Sequence, residues 1–86
     1  MSRAISFATD GWEDYLYWQS QDKQILKKIN QLIKDCQRSP FSGIGKPEQL
    51  RHELTGTWSR RISDEHRLVY LASDNDIRIL ACRYHY

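Results

Sequence analysis

Polar and apolar positions change their period several times along this chain, and each change marks an element. Ala4 to Ala8 alternates weakly around Ile5 and Phe7, as a short strand does, until Thr9, Asp10 and Gly11 break the alternation. Asp10 is a favourable helix N-cap, and Glu13, three residues on, can close a capping box with it. Trp12, Tyr15, Leu16 and Gln19 then continue at helical spacing. The aromatics of this segment, Trp12, Tyr15, Tyr17 and Trp18, predict a core-facing stripe in preference to a base-stacking platform. Ser20 to Asp22 interrupts the first helix. Beyond it, Ile25, Ile29, Leu32, Ile33 and Cys36 recur on one face of a longer helix, whose opposite face carries Lys23, Lys27, Asn30, Gln31 and Lys34. Ser39-Pro40 ends this second helix, because proline disfavours helical backbone in the residue before it.

Phe41 to Pro47, with Gly43, Gly45 and Pro47, reads as a surface loop, and Gly43-Ile44-Gly45-Lys46 lacks the spacing of a nucleotide-binding P-loop. Four strand candidates come next, at about 49–54, 57–63, 66–73 and 77–84, with Gly56 and Asp74-Asn75-Asp76 supplying turns. A short strand, two helices and then an antiparallel meander predict an α+β fold, with the helices packed on one face of a twisted sheet. Internal repeats and low-complexity segments are absent from the sequence.

Length narrows this picture to one domain over residues 1–86, small enough that most aromatics and branched aliphatics must serve a single core. The longest apolar runs fall far short of the roughly 20 residues that span a bilayer. Met1 to Thr9 has no apolar stretch of the secretory kind, so the expected location is the cytoplasm, with no membrane partner. Cys36 and Cys82 sit in apolar-patterned segments and form no CxxC, which predicts reduced, packed thiols and no zinc site. The net charge of +2 says little, since 13 basic residues face 11 acidic ones. Their distribution says more. Basic residues gather at Lys23, Lys27, Lys28 and Lys34 and again at Lys46, Arg51, Arg60, Arg61 and Arg67, a pattern that fits phosphate contacts and fits a solvated face equally well.

With no metal-ligand spacing and no nucleophile elbow, the candidate chemistry lies in Glu48, the arginines of the meander, and His85 with Tyr86. Cleaving an RNA phosphodiester needs a base for the 2′-hydroxyl, a cation for the crowded phosphorane and an acid for the departing 5′-oxygen. A carboxylate, a guanidinium and an imidazolium supply those roles. Taken singly, each residue has a plainer reading: Glu48 as a loop carboxylate, Arg67 as an ion-pair partner of Glu65, His52 and His66 as ordinary polar positions. The ending Arg83-Tyr84-His85-Tyr86 is less ordinary, since chain ends normally fray and this one carries aromatics and an imidazole that imply an anchored end.

Six ordered blocks make the chain resemble the YoeB (Txe/YoeB) branch of the RelE-like bacterial toxins over essentially its whole length. They are Trp12-Glu13-Asp14-Tyr15-Leu16-Tyr17-Trp18, Lys27-Lys28-Ile29-Asn30, Gly45-Lys46-Pro47-Glu48, Trp58-Ser59-Arg60-Arg61-Ile62, Glu65-His66-Arg67-Leu68-Val69-Tyr70 and Cys82-Arg83-Tyr84-His85-Tyr86. That resemblance implies a RelE-like microbial RNase fold and a type II toxin that cuts messenger RNA in the ribosomal A site with no metal or other cofactor. It implies Glu48 as general base, His85 as general acid, Arg67 as phosphorane stabiliser and Tyr86 as the group orienting a base or the scissile nucleotide. Lys46, Arg51 and Arg61 would hold phosphates. The implied partners are a YefM-like antitoxin, the ribosome and its mRNA. Operator DNA would be met only through the antitoxin complex, and a homodimer is left open. Fold alone does not fix function. Two rival readings are a non-catalytic target poison like the ParE-type gyrase inhibitors, and a DNA-binding co-repressor acting with its antitoxin.

Overall fold

The computed structural model describes residues 3–51 and 55–84. Its elements run in the order β1 (Ala4–Phe7), α1 (Thr9–Gln21), α2 (Lys23–Arg38), β2 (Glu48–Gln49), β3 (Thr57–Arg61), β4 (Arg67–Ala72) and β5 (Asp76–Ala81). The strands form one five-stranded sheet in the order β1-β5-β4-β3-β2. β2 to β5 make the expected antiparallel meander, and β1 adds to it in parallel beside β5, pairing Ile5 with Ile77 and Phe7 with Ile79. The architecture is α+β, with both helices on one face of a mixed sheet.

Helix α2 forms where its aliphatic stripe predicts. Ile29, Leu32, Ile33 and Cys36 are buried, and the Asp22 carboxylate caps the helix by accepting the N–H groups of Gln24 at 3.0 Å and Ile25 at 3.2 Å. Helix α1 departs from expectation at its start. Ala8 occupies the cap position with no side-chain bond, and Asp10 lies inside the first turn, where its charge still suits the positive end of the helix. Gly11 is buried because α1 lies directly on β5: a Cβ there would overlap the Ile79 carbonyl oxygen.

The core is built from α2, Trp18, and the helix-facing residues Leu68, Tyr70, Ile77 and Ile79 of the central strands. Of the predicted aromatic stripe, Trp18 is 6% exposed whereas Trp12 is 46% exposed, stacked with Tyr15 and edge-on to Phe7. Both cysteines are free and buried. The strand predicted at 49–54 is the two-residue β2, continued by the Leu50 N–H donating to the Thr57 carbonyl at 2.9 Å; His52, Glu53 and Leu54 lie outside the described residues. β5 stops at Ala81 instead of reaching 84, because the next backbone groups bond to side chains of other elements. The Cys82 N–H donates to Asp14 at 3.0 Å and the Cys82 carbonyl accepts the Trp18 indole N–H at 2.8 Å. Among the described residues, no helix is long and apolar enough to cross a membrane.

Candidate active site

Successive side chains of a strand point to opposite faces, so the sheet sorts the basic residues of β3 and β4. Arg60, Leu68 and Tyr70 turn toward the helices, while Ser59, Arg61, Arg67 and Val69 turn to the uncovered face. The register aligns them: Glu48 lies opposite Ser59, Ser59 opposite Val69, and Arg61 opposite Arg67. Lys46, Glu48, Leu50, Ser59, Arg61, Arg67 and Val69 thus line one depression of about 220 Å³ on that face. Two strand spacings, about 10 Å, separate the backbones of β2 and β4, so the Glu48 carboxylate and the Arg67 guanidinium flank the depression. Like charges directly opposite across an antiparallel pair are unfavourable, so the Arg61–Arg67 pair suits an anion lying between them.

Arg67 is held for this position by backbone, not by the ion pair with Glu65 that its sequence context predicts. Its Nη1 donates to the carbonyls of Ser63 at 2.7 Å, His66 at 3.1 Å and Asp64 at 3.3 Å, while Nε and Nη2 make no bond among the described residues. Glu65 instead lies 3.7 Å from the Nε2 of His66. Lys46 reaches the depression from a left-handed backbone, φ 53°, that a non-glycine residue before proline adopts only when its surroundings impose it. Arg51 follows Leu50 in an exposed turn and is not among the lining residues. His85 and Tyr86 lie outside the described residues.

The chain leading to His85 is anchored by side chains that sequence patterning passed over. The Tyr84 N–H donates to His66 Nδ1 at 2.7 Å, and the Tyr84 carbonyl accepts the Arg67 N–H at 2.8 Å. His66 is itself buried, edge-on to Trp18. The Arg83 guanidinium lies 3.6 Å over the Tyr17 ring. The only sequence signal for this clamp was the aromatic ending itself; nothing local marks His66, Asp14 or Trp18 as its partners.

A family model for the YoeB-like toxin of bacterial type II toxin-antitoxin systems matches residues 7–86. The chain belongs to the YoeB toxin family. Toxin YoeB of Escherichia coli K12 is 61% identical over 82 residues, spanning 95% of this chain and 98% of that protein. Among solved structures, the YoeB dimer from Staphylococcus aureus superposes with a TM-score of 0.92 at 50% identity, each chain fully covered. The heterotetrameric YoeB-YefM toxin-antitoxin complex from the same organism contains a chain with a TM-score of 0.87, also 50% identical and fully covered. The depression therefore belongs to a YoeB-type toxin of a type II system.

Proposed function

We propose that this YoeB-type toxin is a ribosome-dependent endoribonuclease that cuts mRNA in the A site by general acid-base catalysis and so arrests translation in the cytoplasm. The observation that carries the reading is the gathering of Glu48, Arg61, Arg67 and Lys46 around one depression, with the residue before His85 bonded to the Arg67 backbone. A merely binding toxin has no need for a carboxylate flanking a pair of arginines.

In this reading Glu48, ionised, takes the proton of the ribose 2′-hydroxyl, and the resulting oxygen attacks the adjacent phosphorus. Arg67, its guanidinium fixed through Nη1, offers the remaining donors to the phosphorane oxygens where negative charge builds. His85, protonated, gives its proton to the departing 5′-oxygen as the P–O bond breaks, leaving a 2′,3′-cyclic phosphate. Tyr86 orients the scissile nucleotide, and Lys46, Arg61 and Arg51 meet flanking phosphates. These steps need protons and fixed charges alone, supplied by side chains without a metal. Since the ribosome positions the codon, the toxin needs few base contacts.

The related Staphylococcus aureus toxin is found both as a dimer and in complex with YefM. On that basis the present chain is assigned a YefM-like antitoxin and a homodimeric state; contact with operator DNA, where it occurs, is assigned to the toxin-antitoxin complex and not to the toxin alone.

Primer extension on a short mRNA in a purified translation system tests the proposal with wild type, Glu48→Gln and His85→Gln. Discrete ribosome-dependent cuts are expected from wild type, falling at least about tenfold with either change, which corresponds to ~1.4 kcal/mol of barrier. Translation arrest with intact message, equal in all three proteins, would instead make the chain a non-catalytic binder.

A further inference from the structure

Arg60 is fully buried and takes no part in the depression, although its two chain neighbours, Ser59 and Arg61, both line it. On the helix face all five of its N–H donors are used. Nε donates to the Tyr70 hydroxyl at 3.0 Å, and Nη1 to the Asp35 carboxylate at 2.5 Å and the Ile44 carbonyl at 3.1 Å. Nη2 donates to the carbonyls of Ser39 at 2.5 Å and Ser42 at 2.8 Å. Three of the five acceptors are thus backbone carbonyls of the segment between α2 and β2. The same cluster reaches that segment twice more: Asp35 accepts the Ile44 N–H at 3.0 Å, and the Tyr70 hydroxyl donates to the Pro40 carbonyl at 2.6 Å. A segment with neither helix nor ladder of its own is wrapped around one cation.

This segment leads straight into the candidate site. The Gly45 carbonyl accepts the Arg61 N–H at 2.7 Å, and a Cβ on Gly45 would lie 2.7 Å from Leu32 and 3.2 Å from the Arg60 Cβ. Lys46 then enters its left-handed conformation and Glu48 pairs with Ser59. Ser39 to Gly45 leaves no slack between the buried cation and these two side chains.

We propose that Arg60 is a positioning residue, which moulds residues 39–44 so that the Glu48 carboxylate meets the ribose 2′-hydroxyl at a fixed place. The inference rests on the acid-base role proposed for Glu48. A planar fork with five donors at set angles is suited to such a task, and the point charge of lysine does not replace it.

A double-mutant cycle separates positioning from bulk stability, because a residue acting through Glu48 loses its effect when Glu48 is already disabled. Arg60→Lys is made in wild type and in Glu48→Gln, with Tyr70→Phe as a milder second variant that preserves core volume. Single-turnover cleavage on programmed ribosomes is measured alongside amide hydrogen exchange of the toxin. Arg60→Lys is expected to slow cleavage at least tenfold with Glu48 present and less than twofold in Glu48→Gln. Tyr70→Phe should show the same non-additivity on a smaller scale. Exchange at the Ile44 and Arg61 amides should accelerate at least tenfold, while that of Ile29 to Ile33 changes less than twofold. Equal losses in both backgrounds, or unchanged exchange at Ile44, would overturn the proposal. Should Glu48→Gln alone leave cleavage intact, the assignment of the base fails, and the exchange measurement by itself decides whether Arg60 fixes the loop.

Discussion

His66 stands at an unremarkable polar position in the sequence, yet it holds the approach to the chain end. Its Nδ1 accepts from the Tyr84 N–H, so this nitrogen is bare and any proton of the neutral ring sits on Nε2, the atom facing Glu65. Replacing His66 with Leu keeps an apolar body against Trp18 and removes the acceptor. Stability is expected to fall by about 1–3 kcal/mol in urea unfolding, with faster exchange at the Tyr84 amide; unchanged exchange there would dismiss the clamp. Glu48, Lys46, Arg61 and Arg67 were legible because the family blocks flag them and strand alternation gathers them. Arg60 was not. In one dimension Arg60-Arg61 is a single basic pair, and only the pleat sends one guanidinium to a phosphate site and the other into the core. The partners of the Tyr84 backbone were equally hidden, being 18 and 17 residues upstream by sequence number, on the far side of a hairpin.

Helix α2 was readable from its aliphatic stripe and its Ser39-Pro40 stop, both local signals, while Asp22, read only as an interruption, turns out to be its cap. Helix α1 was legible as a helix, but its packing was not, because the contact that decides it is made by a glycine. Alanine is a better helix former than glycine by roughly 0.5–1 kcal/mol, and at an exposed site Gly11→Ala would stabilise α1. Here the added methyl overlaps the Ile79 carbonyl oxygen, so the sign reverses. Gly11→Ala is expected to destabilise the protein by about 1–3 kcal/mol, measured by urea or thermal unfolding, and a stabilised variant would mean that α1 does not seat on β5 in this way. The parallel pairing of β1 with β5 had no signature, for neither strand carries a local mark of a partner about 70 residues away. The end of β5 was overestimated for a related reason: the apolar pattern continues past the point where the Asp14 and Trp18 side chains of α1 capture the backbone.

Two buried clusters contribute to how the whole molecule answers to pH. The hydrogen bond from Arg60 holds the Asp35 carboxyl below its usual value against the opposing effect of burial. A lowered carboxylate binds more protons unfolded than folded, so its contribution is present above the ordinary value near 3.8 and is lost as pH falls through the folded one. Burial pushes the Cys36 thiol up from 9.0 to about 11 and the Cys82 thiol up from 9.0 to about 12, and raises the Tyr70 hydroxyl as well. Above the ordinary thiol value the unfolded chain releases protons that the folded one keeps, so stability falls as pH climbs from about 9 toward 11 and 12. The urea midpoint is expected to decline across that interval, and replacing both cysteines with alanine should flatten the decline even while lowering the plateau. A pH-independent midpoint between about 9 and about 11 in wild type would contradict the burial of these thiols. The sheet also sets a schedule for synthesis. Among the described strands β1 has β5 as its only neighbour, so the earliest of them to be made cannot pair until the latest has been translated. Every residue of β2, β3 and β4 has been added to the chain while Gly11 still has no Ile79 to seat against. A nascent chain of this design cannot close its sheet or seat α1 on β5 until translation has passed Ala81.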